Sequence, residues 1–520
     1  MNARNVAGFE AAAAAAAAAL LRARSVTVVA HIDADGITAA SIASAALSRA
    51  GIEHGVRFVK KIDDAEIQLV AEDPADLVWL VDLGSGSFSR LDPAKVVVSD
   101  HHRTDATVGH GQADLFSFGA EHVNPQLFGM DGSLEISGAG ATYAVAKAMS
   151  FDNRDLAALA LVGAVGDFQD NAAGRLVGYN RNILQDAIDS GRARAIVDLR
   201  LFGRETRPLP AFIMYSTDPA LLPVLRATLQ ASFRRADEIG GSDWELVSSF
   251  LSELGIERYG EGWGSWASLR PDERRCVASE LCERLLDAGR GTAPIRRLIG
   301  EVYALDPRLV NAPDDWLKDR DSLPGDDEGE WRPNARALLD AKEMATLLNA
   351  CGRHGRPETG MAICLGDRYE ALTEALRLQV DHRAALREAI SLVQCGGEFG
   401  IIERDDMPCL RYFHGGDRIE DTIVGIVAGM LLGDAAPADR PLFGLVSATD
   451  GTATIKVSAR GTRALVERGL DLSAVMRQAA EAVRGSGGGH NIAAGASIPQ
   501  GTEDDFLCLA DKIMRGQLSR

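Results

Sequence analysis

The chain has 520 residues, far more than one hydrophobic core usually organises, so two to four domains are expected. With 46% hydrophobic and 25% charged residues and no run of 18 uninterrupted apolar residues, it reads as a soluble globular protein without a membrane span. The net charge of −19, from 55 basic and 74 acidic residues, counts against a generally basic nucleic-acid binder and leaves such a partner only a local groove.

Seven cysteines (Cys276, Cys282, Cys351, Cys364, Cys395, Cys409 and Cys508) are odd in number, scattered and never in a C-x-x-C pair. That pattern argues against a disulfide framework or a zinc ribbon and fits a reducing, cytoplasmic setting. The stretch EAAAAAAAAALLRARS from Glu10 lacks the basic lead and apolar strength of a targeting segment; alanine's helix propensity predicts an N-terminal helix packed on a domain.

From Ser25 to about Met149, strand and helix patterns alternate: VTVVA, ITAASIASAAL, DLVWLVDL, KVVVSD and GATYAVAKAM. Such alternation predicts a parallel α/β sheet, and a further helix, RDLAALALVGAVGD, ends in Asp167. Between Arg175 and Arg207 seven arginines face Asp186, Asp189, Asp198 and Glu205, which makes either a local basic strip or an ordinary solvated helix and loop. Residues 195–335 read as helices broken by RPLP, GGSD and GEGWGS, and the acidic loop DSLPGDDEGEWRP marks a boundary. The last part starts with helix ARALLDAKEMATLLNACGR, a strand GMAICLG and a long helix through Leu392. It continues through FGIIERDDMPCLRYF, helix IEDTIVGIVAGMLL, strands PLFGLVSATD and TATIKVSAR, and helix LSAVMRQAAEAV to the glycine-rich loop GSGGGHNIAAGASIP. The expected fold class is therefore α/β, with domains at 1–195, 196–335 and 336–520: a parallel-sheet domain, a helical connecting region and a smaller C-terminal α/β domain.

Four segments at the ends of apolar elements carry acids and imidazoles, where an open parallel sheet binds its ligand. In HIDADG, His31, Asp33 and Asp35 stand at every second position, so an extended backbone would point all three to one side before Gly36 permits a turn. DLVWLVDLGSG ends in Asp82, VVVSDHHR supplies Asp100, His101 and His102, and ALVGAVGD supplies Asp167. Singly, each is as well read as a helix cap, a turn residue or a core histidine, and D-x-D-G also occurs in calcium loops. Jointly they form a carboxylate and imidazole set without thiolate, which suits Mn²⁺ or Mg²⁺ rather than structural zinc. Five or six ligands exceed the needs of one ion with open positions and favour a two-metal site acting on phosphorus.

HIDADG, the VD at Asp82, SDHH and GAVGD resemble motifs I to IV of the DHH phosphoesterase superfamily, and GSGGGH resembles the GGGH motif of its DHH-associated C-terminal domain. The layout is similar to that of the archaeal RecJ-like single-strand exonucleases, over roughly residues 25–185 and 340–520. The resemblance implies that Asp33, Asp35, Asp82, His101 and Asp167 hold two metal ions, Mn²⁺ preferred and Mg²⁺ possible, with Asp82 bridging. It adds His31 as a further ligand, gives Asp100 the orienting of an imidazole, and places His102, assisted by Arg103, on the scissile phosphate. Gly488, Gly489 and His490 would bind the nucleic-acid backbone or terminal nucleotide. Lys456, Ser458 and Arg460 share one strand face by period-two spacing, either as a phosphate rail or as solvated charges. Ser137 to Gly140, before a helix, form either an anion-binding helix start or a simple cap.

The function so implied is a metal-dependent exonuclease on single-stranded DNA or RNA in DNA repair or replication, in contact with replisome proteins and not with membrane. The alternatives are an oligoribonucleotide or cyclic-dinucleotide phosphodiesterase and a Cdc45-like replisome scaffold.

Overall fold

Parallel strands form where the sequence is most densely apolar and β-branched. They are β1 (Ser25–His31), β2 (Glu53–Val59), β3 (Leu77–Val81), β4 (Val96–Ser99) and β5 (His122–Val123), in the order β2-β1-β3-β4-β5. The computed structural model describes residues 3–105, 122–232, 242–256, 262–306, 334–434, 439–449 and 452–518. It divides into two compact units, Met1–Gln379 and Val380–Arg520. Side chains alternate across the first sheet: Val26, Val28, Trp79, Val81 and Val97 enter the larger core, while Val29, Val78, Leu80, Val96 and Val98 enter a smaller one. Both faces are covered, as an all-parallel sheet requires. Strand β2 escapes the apolar pattern because it is an edge strand, exposed enough to carry His54 and Arg57.

The thicker layer contains α1 (Ala3–Leu20), α2 (Ala34–Arg49), α4 (Gly138–Met149) and α5 (Ala157–Gly166); α3 (Asp64–Ala71) supports the other face. The alanine-rich helix is packed on its domain as expected, through Phe9, Ala13, Ala16, Ala17 and Leu20, a stripe at helical spacing.

The middle region is helical, with α6 (Asn180–Asp189), α7 (Leu209–Met214), α8 (Leu222–Ser232), α9 (Asp243–Glu253), α10 (Pro271–Asp287) and α11 (Ala293–Leu298). An antiparallel pair, β6 (Ala193–Leu199) and β7 (Ile299–Leu305), brackets α7 to α11, and Phe212, Phe250, Trp266 and Leu281 belong to a core of its own. The predicted acidic loop, at 321–333, lies outside the described residues, as does Asp450 at the end of SATD.

Helices α12 (Ala341–Arg353) and α13 (Pro357–Leu365) follow, and both add residues to the larger core of the first unit. Helix α13 corrects the expected strand GMAICLG: Pro357 starts it and Gly366, at φ 115°, ends it. A short apolar run has no period of its own to tell helix from strand, and the flanking proline and glycine decide it. Helix α14 (Glu370–Gln394) then carries the chain into the second unit.

That unit contains β8 (Ile402–Arg404), β9 (Met407–Gly416), α15 (Val424–Asp434), β10 (Leu442–Ser447), β11 (Thr454–Arg460), α16 (Arg463–Glu467), α17 (Leu472–Ala482), β12 (Ser486–Gly489), β13 (Ala493–Pro499) and α18 (Glu503–Leu518). Its sheet runs β12-β13-β11-β10-β9-β8, antiparallel except between β9 and β10, with a separate core on each face. The expected glycine-rich loop is for the most part strand: β12 and β13 are the arms of a hairpin, and β12 is a sheet edge. Among the described residues no helix is long and apolar enough to cross a membrane.

Candidate metal centre

The carboxyl ends of β1, β3 and β4 meet the N-termini of α2 and α4. Strand β1 stops at His31; Asp33 is the N-cap of α2, accepting the Gly36 N–H at 3.0 Å, and Asp35 lies in its first turn. The extended HIDAD backbone expected from the spacing is therefore incorrect, because the cap bond of Asp33 starts the helix one turn earlier. Gly36 has ordinary helical geometry; it is needed for close approach, since a Cβ there would overlap the His31 carbonyl.

Asp35 is buried, and both its oxygens accept backbone N–H groups at the start of α4, from Gly138 at 2.7 Å and Ala139 at 3.1 Å. Ser137 caps the same helix through the Gly140 N–H. The Ser137 to Gly140 segment is thus a cap and an anion site at once, and its anion is the chain's own carboxylate. Asp82 follows β3 in a left-handed conformation, φ 58°, unusual for a residue with a Cβ. Gly138 and Gly163 make room, for a Cβ on either would overlap a carboxylate oxygen of Asp82 or Asp35 respectively.

Beyond β4, Asp100 accepts N–H groups from Ser85, His101 and His102 and lies 2.8 Å from His102 Nδ1. The imidazole within hydrogen-bond distance of Asp100 is thus that of His102. His102 is 43% exposed, whereas His101 is buried. The Nδ1 of His101 lies 2.6 Å from the Gly132 carbonyl, an arrangement that makes Nδ1–H the donor and directs Nε2 inward. That Nε2 is 3.2 Å from Asp167, 3.4 Å from Asp82 and 3.8 Å from Asp35. On the other side His31 Nδ1 stands 2.9 Å from Asp33 and 3.7 Å from Asp82. Asp167 is the C-cap residue of α5. Arg103 is exposed beside His102.

The electrostatics of this cluster are those of a site built for cations. Burial alone would lower the His101 pKa, but Asp82, Asp167 and Asp35 overturn it and hold it well above the ordinary range; His31, beside Asp33 and Asp82, behaves likewise. Burial and like charge push Asp167 up to about 7 and Asp35 well above its usual value. Asp33 and Asp100 are held far below theirs, against burial, by neighbouring histidines and N–H groups.

Among the described residues, three groups of side chains could each hold an ion: His31, Asp33 and Asp82; Asp35, His101 and Asp167; and Asp82, Asp100, His101 and His102. His31 Nδ1, both oxygens of Asp82 and His101 Nε2 are buried without a hydrogen bond. Such orphaned atoms fit a divalent cation, whose oxygen and nitrogen ligands at about 2.1 Å stand about 3 Å from one another.

The DHH family N-terminal domain matches residues 25–164, the DHH-CID domain residues 201–299 and the DHHA1 domain residues 409–516. The chain thus carries a DHH, a DHH-CID and a DHHA1 domain. It is 26% identical to an uncharacterised protein of Methanocaldococcus jannaschii, over 95% of its own length and 94% of that relative. In fold it is similar to RecJ of Thermus thermophilus in complex with Mn²⁺ (TM-score 0.53, 16% identity, 98% of this chain) and spans 55% of that chain. It is also similar to an exonuclease RecJ bound to manganese (0.50, 17%, 98% of this chain and 94% of that one) and to Cdc45 of Entamoeba histolytica (0.55, 11%, 94% and 95%). At these identities the shared property is the fold, which is RecJ-like.

In the DHHA1 region, Gly488 pairs with Gly495 and Gly495 with Ser458, so register aligns them on one sheet face flanked by Lys456 and Arg460. Space around Gly488 is open, Gly489 has φ 133°, and both Gly489 and His490 are exposed. Ser458 is buried, and Arg460 lies across α15, where a Cβ on Gly425 would overlap its guanidinium. The expected rail is thus half surface and half packing.

Other residues of the centre carry no sequence signal. Gln169 donates to the carbonyls of Gly132 and Ile136 and receives Asn180, fixing the loop that holds His101. Ser85 and Asn124 brace the DHH segment, Asn124 through the His102 carbonyl at 2.9 Å.

Proposed function

We propose that this chain is a metal-dependent phosphodiesterase that removes nucleotides from an end of single-stranded DNA or RNA. The observation that carries the reading is the group of buried, unsatisfied ligand atoms around Asp82 and His101. Asp33, Asp35, Asp82, His101 and Asp167, with His31, would hold two divalent cations, Mn²⁺ in preference to Mg²⁺, and Asp82, 3.7 Å from His31 and 3.4 Å from His101, would be shared between them. When bound, such a pair supplies an activated water and charge stabilisation for in-line displacement at phosphorus.

The chain's own residues do the rest. His102, exposed and oriented by Asp100, donates through Nε2 to the phosphate under attack, and Arg103 adds charge beside it. In this reading residues 1–195 are catalytic, 196–335 connect, and 336–520, of which α12 and α13 pack in the first unit, bind nucleic acid through Gly488, Gly489, His490, Lys456, Ser458 and Arg460. Bare glycine N–H groups on the β12 edge suit a phosphate backbone. A replisome scaffold without chemistry has no use for four carboxylates gathered about two imidazoles, so contact with replication or repair proteins in the cytoplasm is placed beside catalysis rather than instead of it.

The test is degradation of DNA and RNA strands end-labelled at either terminus, with Mn²⁺ or with EDTA. Metal-dependent release of labelled mononucleotide from one end is expected. Asp82→Ala and His101→Ala should lower the rate by about a thousandfold or more, as loss of a metal ligand does in the site that performs the chemistry. Full activity in either variant would refute the assignment, and cleavage of dinucleotides alone would make the chain a short-oligonucleotide enzyme.

A further inference from the structure

Helix α5 ends in a Schellman turn at the edge of the metal centre. The Phe168 N–H donates to the Val165 carbonyl at 3.0 Å, and the Gln169 N–H to the Ala164 carbonyl at 3.0 Å. In this turn the residue after the C-cap takes a left-handed backbone, and glycine usually fills that place. Here it is Phe168, at φ 57°. On one side of it stands Asp167, whose carboxylate is 3.2 Å from His101 Nε2 and 25% exposed. On the other is buried Gln169, anchored to the carbonyls of Gly132 and Ile136.

Stopping the helix accounts for the φ but not for the side chain. Glycine would close the same turn without the steric penalty that a Cβ meets in the left-handed region. Burial does not offset that penalty, because Phe168 is 62% exposed and, among the described residues, joins no hydrophobic core. Single exposed apolar side chains are ordinary on any protein. One that also keeps an unfavourable backbone, between a metal-site carboxylate and an anchored glutamine, calls for a function. The ring is held in solvent at the edge of the cluster, where a strand would have to pass.

Resting on the phosphodiesterase reading above, we infer that Phe168 is a base-stacking residue of this centre: its ring takes the face of a nucleobase beside the phosphate under attack. Stacking accepts any base, since each has a π-face, and so adds affinity without sequence preference. A duplex, whose bases already stack on their neighbours, gains nothing from the ring. The contact therefore favours unpaired strands.

The test compares the full chain with Phe168→Gly and Phe168→Trp, in Mn²⁺, on two phosphorothioate-linked strands of one length, oligo(dT) and a strand of abasic residues. The parent should bind oligo(dT) about tenfold or more tighter than the abasic strand. Phe168→Gly should lose about tenfold on oligo(dT) while keeping its affinity for the abasic strand and for Mn²⁺ within about twofold. Phe168→Trp should retain the preference for bases. Glycine relieves the backbone, so Phe168→Gly should also melt no lower than the parent. An undiminished preference for oligo(dT) in Phe168→Gly overturns the inference. So does an equal loss on both strands, because the ring would then act through Asp167 and touch no base, and so does melting well below the parent, which would make the ring a packing residue. A parent that binds neither strand overturns the exonuclease reading itself.

Discussion

Asp35 gathers the oppositions of the site in one side chain: it is buried, surrounded by Asp82, Asp167 and Asp33, and held by two N–H groups at a helix start. Without a cation its charge repels its neighbours; in the proposed site it would be a ligand. Asp35→Asn keeps an acceptor for Gly138 or Ala139 and removes the repulsion, so in EDTA it should melt no lower than the parent. In Mn²⁺ the order should reverse, because only the parent gains by binding. A variant melting lower than the parent in EDTA would show that the carboxylate is structural. The residues of the DHH segment were legible by type, since two imidazoles and an acid after four buried residues have few uses. Gln169, Asn124 and Gly132 were not, because amides and glycines are everywhere and become meaningful only by their place beside His101 and His102.

At the scale of elements, helices α2, α4 and α5 meet with almost no space at Gly163. A methyl group there would overlap Asp35 Oδ1 and come within 2.7 Å of both the Ala139 Cβ and the Thr38 hydroxyl. Gly163→Ala should therefore lower stability by about 1–3 kcal/mol, as overpacking does, and reduce activity through displaced Asp35; chemical denaturation and the exonuclease assay measure the two. Helix α12 carries a second liability. Burial and Asp340 push the Glu343 carboxyl up to about 8, although the Glu205 N–H and the Thr206 hydroxyl bond to it. Its folded pKa exceeds the unfolded value, so its contribution is complete below about pH 4.3 and is lost as pH rises towards 8, by at most about 1.4 kcal/mol per unit. Glu343→Gln should flatten the decline in melting temperature between pH 5 and 8; an unchanged slope would place the titration elsewhere. Element type followed the period wherever a run was long, as in α1 and α14. It failed at α13, too short to show one, and at β2, too polar for an edge strand to be noticed.

For the whole molecule, the charge of −19 would make the proposed nucleic-acid binding depend on a few cations rather than on a general field. Affinity for a strand should consequently fall with salt along a shallow slope, about 0.7 per phosphate neutralised on single strands; a slope as steep as that of a basic binder would point to a surface not described above. Metal should also report on folding. An ion bound at a hundred times its dissociation constant stabilises by about 2.7 kcal/mol, so EDTA should lower the melting temperature by several degrees, and restored Mn²⁺ should recover it. The sequence by itself determined the parallel sheet of the first domain, the helical middle, the final α/β domain and the acids and imidazoles of the centre, because apolar periodicity and costly buried charge are local properties of a chain. Only the tertiary structure decided that Asp35 sits on the start of α4, that the glycine-rich stretch is a sheet edge, and that a helix more than 300 residues after HIDADG presses Asn349 and Gly352 against it. Those arrangements depend on which elements pack together, and packing between distant segments leaves no mark on the order of residues within either one.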